Sequence, residues 1–69
     1  MAGSLEALSD EALFEQTKYR AGLALRARSN RDNIRLWMHT MECEEEWKRR
    51  GKGEEYLKAI NEEKKEARR

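Results

Sequence analysis

The chain has 69 residues, of which 42% are charged and 7% aromatic, and its formal net charge is +1. A chain this short is one small domain that buries only about 60% of the surface its unfolded form exposes, and a balance so close to neutrality argues against a broad single-sign field for steering nucleic acid or membrane. Its one cysteine, Cys43, excludes an intramolecular disulfide, which leaves packing, a metal or association to supply the stability that small chains lack.

The charge content pulls toward disorder, yet the apolar residues recur at helical spacing, so the chain reads as folded. It has no proline and only four glycines, Gly3, Gly22, Gly51 and Gly53. That composition favours long helices over a sheet. The expected fold class is all-α, an antiparallel helical hairpin extended to a small three-helix bundle, as one domain over residues 1–69. The longest apolar run, Ala21 to Leu25, is too short to span a membrane and has no signal-peptide layout. A cytoplasmic location fits an unpaired cysteine in a reducing compartment.

In chain order, residues 1–8 are expected to fray. Ser9 is a suitable N-cap, with Asp10 and Glu11 in the first turn, and a first helix over about 10–28 ends where Ser29 and Asn30 break it. A second helix spans about 31–50: Lys48, Arg49 and Arg50 suit the negative end of the helix dipole, and Gly51 supplies the left-handed residue after it. A third runs over about 54–67, with an expected packing stripe of Leu57, Ile60, Lys64 and Ala67 and Tyr56 beside it.

Folding the first two helices back at Ser29-Asn30 sets Leu13 near Trp47, Thr17 near Cys43, and Ala21, Gly22 and Ala24 near Leu36, Trp37 and Met38. Small residues then face large ones, as a close-packed interior requires. The charges fall in alternating blocks: acidic over residues 1–16, basic from Lys18 to Arg35, acidic from Glu42 to Glu46, basic from Lys48 to Lys52. Such blocks suggest pairing within the fold or an assembly.

At about 100° per residue, the second helix has two apolar faces. Ile34, Trp37, Met38 and Met41 fall on one side, and Leu36, Cys43 and Trp47 roughly opposite. One neighbouring helix cannot cover both, so part of this surface is available to a second copy or another protein.

The stretch from Leu36 to Trp47 also contains the side chains from which chemistry could be built. His39 and Cys43, four apart, begin a zinc site only if two further ligands join them, and the chain has no other histidine or cysteine. No metal and no cofactor is expected. Glu42, Glu44, Glu45 and Glu46 would suppress a thiolate at Cys43, so nucleophilic catalysis is not expected either. The glutamates read instead as solvated partners, Glu44 of Lys48, Glu45 of Arg49 and Glu46 of Arg50. The segment "RRGKGEE" lacks the spacing of a phosphate-binding loop. It is a helix stop followed by a helix start.

The sequence therefore points to no catalytic residue and no particular family. The leading expectation is a noncatalytic protein-protein interaction module or small regulatory adaptor, self-associating or binding another protein through Leu36, Trp37, Met38, Met41 and Trp47. The alternative is a small nucleic-acid-binding regulator that clamps phosphates with Arg26, Arg28, Arg31 and Arg35 at the tip between the first two helices.

Overall fold

The computed structural model describes residues 5–67, so Met1 to Ser4, within the stretch expected to fray, lie outside the described residues. A single 3-10 turn at Leu5–Ala7 leads into α1 (Asp10–Arg26), α2 (Asn30–Arg49) and α3 (Gly53–Ala67). These form a small three-helix bundle, with no strand among the described residues. Helix α1 packs along both of the others, whereas α2 and α3 meet over a shorter stretch.

The helix boundaries follow from local hydrogen bonding. Ser9 and Ser29 cap α1 and α2, each hydroxyl oxygen accepting from the backbone N–H three residues on, at 3.1 Å from Ala12 and 3.1 Å from Asp32. Helix α1 stops at Arg26 because Ala27 turns to extended backbone, which leads the chain into the Ser29 cap. Helix α2 ends with Gly51 at φ 75°. There the Lys52 N–H donates to the Trp47 carbonyl at 2.8 Å and the Gly51 N–H to that of Lys48 at 3.0 Å, which together satisfy carbonyls left open at a helix end.

The core is a cluster of Leu13, Ala21, Cys43, Trp47, Tyr56 and Ile60, with Leu5, Leu8, Phe14 and Trp37 packed against it. At its centre the Trp47 indole N–H donates to the Thr17 hydroxyl at 3.0 Å, and that hydroxyl donates to the Leu13 carbonyl at 2.7 Å. The hairpin pairing of Leu13 with Trp47 and Thr17 with Cys43 is thus realised in one buried knot.

Three expectations are corrected. Leu5 to Leu8 do not fray: Arg50 donates to the carbonyls of Leu5 (3.0 Å) and Leu8 (2.7 Å) and to Asp10 (2.8 Å), which fastens the first turn over the core. The α3 stripe is rotated about one residue, because Tyr56, Ala59, Ile60 and Glu63 are buried while Leu57 is 61% exposed. Wholly buried Ala59 leaves room for α3 to lie close, and Leu57 is about 100° round the helix from Tyr56. Gly22 faces α3 rather than the aromatic side of α2: a Cβ there would stand 2.5 Å from Oε1 of Glu63. Its lack of a side chain makes the space that Glu63 occupies.

Candidate interaction surface

Helix α2 meets the rest of the bundle with one face only. Leu36, Thr40, Cys43, Glu46, Trp47 and Arg50 are buried or half-buried on that face. On the opposite side Ile34, Met38 and Met41 are 62, 63 and 50% exposed. Their spacing of four and then three residues aligns them in one stripe along the helix. Trp37 edges it, half-buried against the core cluster.

Of the five residues expected to bind a partner, the structure therefore brings Trp37, Met38 and Met41 together with Ile34 on the outer face. Leu36 lies half-buried toward the bundle. Trp47 is 1% exposed and holds the core together, so it does not join the surface. The two apolar faces of α2 were visible in the sequence, but the one that folds inward is chosen by Leu13 and Thr17 on α1. Helical periodicity alone puts Ile34 on the same side as Met38 and Met41, where it is exposed.

Charge surrounds this stripe unevenly. Toward its start stand Arg31 and Arg35, both exposed, and toward its end Glu42 and Glu45, also exposed. Glu42 accepts from Arg20 of α1 at 3.0 Å, and Arg20 also donates to the His39 carbonyl. The expected pair of Glu45 with Arg49 does not form, because Arg49 turns to Glu46 instead, at 2.6 Å. The other two expected pairs are present, Glu44 with Lys48 at 3.5 Å and Glu46 with Arg50 at 2.6 Å.

Glu46 is not solvated as expected but buried, at 6% exposure, between two guanidinium groups. Hydrogen bonds from Arg49 and then Arg50 hold its carboxyl at about 2, below the ordinary 4.5. Asp10 is lowered in the same way by Lys52 and Arg50. Arg50 also lies over the Trp47 ring, 5.9 Å from its centroid. This cluster is the fastening of the first turn to α2.

The remaining chemistry-bearing groups are dispersed. Cys43 is wholly buried, and burial, ahead of the neighbouring Glu42, pushes its thiol pKa up. His39 is on the surface, so the two do not share an accessible site. Among the described residues no group of three or more His, Cys, Asp or Glu side chains is arranged to hold a metal ion. An open groove of about 500 Å³ between α1 and α3 is lined by Phe14 and the edge of Trp47 with Glu11, Glu55, Lys52 and Lys58. Six carboxylates and two ammonium groups stand around it.

At the α1–α2 tip, Arg26, Arg28, Arg31 and Arg35 are all exposed and make no ion pair among the described residues. They do not converge. Arg26 turns back along α1, 3.8 Å from the position of a Gly22 Cβ, while Arg31 and Arg35 ride on α2. Asn33, between them, donates to the Ala24 carbonyl at 2.9 Å and so serves the turn itself.

Comparison of the chain with protein-family models, curated proteins and solved structures finds no match. Among the described residues no helix is long and apolar enough to cross a membrane.

Proposed function

We propose that this protein is a noncatalytic interaction module that works by burying the outer stripe of α2, Ile34, Met38 and Met41 with Trp37 at its edge, against another protein surface. The observation that carries the reading is the exposure of three large apolar side chains in one line, on a bundle with little apolar material to spare. Isolated exposed apolar residues need no explanation, but a contiguous line of them does. Methionine suits such a face because its unbranched, polarizable side chain adapts to what it meets.

The size of the stripe sets the strength of the contact. Burying the exposed part of each side chain is worth about 1–2 kcal/mol, so the stripe offers roughly 3–6 kcal/mol. Association itself costs about 4–15 kcal/mol. The partner must therefore contribute an apolar face of its own, and the complex is reversible rather than permanent.

The test separates surface from core. The double substitution Ile34→Asp with Met41→Asp should leave the unfolding midpoint nearly unchanged, since surface changes usually stay within about 0.5 kcal/mol. It should also abolish binding of the apolar dye ANS and retention on phenyl resin. Loss of stability with unchanged retention would place these side chains in the fold and refute the reading.

The phosphate-clamping alternative keeps a narrower basis, the four exposed arginines of the tip. Arg28→Ala with Arg31→Ala would then weaken binding of duplex DNA or single-stranded RNA and flatten its salt dependence. Unchanged binding removes those residues from any such site.

A further inference from the structure

Met38 is the middle of the α2 stripe, and Arg31 and Glu45 stand seven residues before and after it. Seven residues are close to two helical turns, so the three lie within about 20° of one line that runs roughly 21 Å along the helix. The outer face of α2 thus has a positive end, an apolar middle and a negative end. Arg35 and Glu42, three before and four after Met38, repeat the pattern closer in. Arg31, Arg35 and Glu45 are exposed, and within the chain none of the three makes an ion pair among the described residues.

A face that is positive at one end and negative at the other is complementary to itself turned end for end. We propose that the stripe is covered by α2 of a second copy of this chain, packed antiparallel about a two-fold axis beside Met38; this rests on reading the stripe as an interaction surface and names its occupant. The axis sets Arg31 of each copy beside Glu45 of the other, and lays each Ile34 over the opposite Met38–Met41 stretch. Such a contact is isologous and closes at two copies. Parallel pairing would oppose Arg31 to Arg31 and Glu45 to Glu45, a repulsion at both ends. The charges therefore choose the orientation while the apolar middle supplies the adhesion.

The experiment is sedimentation equilibrium of the full chain at low salt, up to about 1 mM, a range that reaches weak pairs. The wild type should approach a two-copy mass with a Kd of about 10 μM to 1 mM. Arg31→Glu, which turns both end contacts repulsive, should weaken pairing about tenfold, and the swap Arg31→Glu with Glu45→Arg should restore it to within about threefold. Both effects should shrink as salt is added. Parallel pairing would leave Arg31→Glu indistinguishable from wild type, and the swap would then restore nothing. A single-copy mass at the highest concentration, or equal effects of the single and swapped variants, overturns the antiparallel pair. ANS binding separates that failure from failure of the wider reading. Dye bound by a single-copy wild type and lost in Met38→Glu would overturn self-pairing alone. A single-copy wild type that binds no dye overturns both.

Discussion

Substituting Thr17 with valine removes a hydroxyl while keeping the shape of the side chain, and the structure indicates what that hydroxyl is worth. It accepts from the Trp47 indole N–H at 3.0 Å and donates to the Leu13 carbonyl at 2.7 Å, in a site where Thr17 is wholly buried and Trp47 only 1% exposed. The indole nitrogen is a donor only, and water has no access to replace its partner. Leaving such a donor unsatisfied costs about 1–3 kcal/mol. At about 0.05–0.15 kcal/mol per residue the whole chain is stable by roughly 3–10 kcal/mol, so Thr17→Val should remove a substantial share. With a urea m-value near 1 kcal/mol/M for a small protein, the midpoint followed by far-ultraviolet circular dichroism should fall by about 1–3 M. Thr17→Ser keeps the hydroxyl and loses one methyl, worth about 1 kcal/mol. A valine variant within about 0.5 kcal/mol of wild type, or a serine variant less stable than the valine one, would refute the assigned role of the hydroxyl.

Acid should act on the fastening of the first turn. Because the Glu46 carboxyl is held at about 2 in the folded chain against an ordinary 4.5, its contribution is complete above the unfolded value and is lost as pH falls through the folded one. The melting temperature should therefore drop between about pH 4.5 and 2, and drop less steeply in Glu46→Gln, with equal slopes counting against the ion cluster. At Gly51, φ is 75° with open space around the absent Cβ, so Gly51→Ala should cost about 1–2 kcal/mol through the backbone alone. An unchanged urea midpoint would contradict that. Buried Cys43 should react with a disulfide reagent only through opening of the bundle, at a rate that climbs with urea below the unfolding transition; rapid labelling without denaturant would place the thiol at the surface.

Much of the fold is legible because its determinants are local. Ser9 announces a cap through a hydroxyl that reaches the next turn, Ser29 reads only as a break although it caps α2 in the same way, and Gly51 announces a stop because glycine adopts positive φ without penalty. Helical periodicity and one break at Ser29 were enough to bring Leu13 to Trp47 and Thr17 to Cys43. The features that escaped depend on approach between distant segments. Leu57 outranks Tyr56 and Ala59 as an apolar residue, but the close approach of α3 favours the small residue and turns Leu57 outward. Arg50 reads as a dipole-matching charge at a helix end, and nothing local says that its guanidinium reaches the carbonyls of Leu5 and Leu8. The two apolar faces of α2 were likewise plain from spacing, while the register of α1 decides that Trp47 goes in and Met38 stays out.

That division of α2 is what the functional reading depends on, and a crosslink at its centre tests it. Met38 and Leu57 are almost equally exposed, at 63 and 61%, on different helices. A Met38→Cys chain, in which Cys43 stays buried, should form a disulfide-linked pair under mild oxidation far faster than a Leu57→Cys chain at the same concentration. That difference is expected, and Met41→Asp added to Met38→Cys should remove it. Equal crosslinking at the two positions would mean that the outer face of α2 meets another copy no more often than any other exposed residue does, and would contradict the pairing of copies through that face.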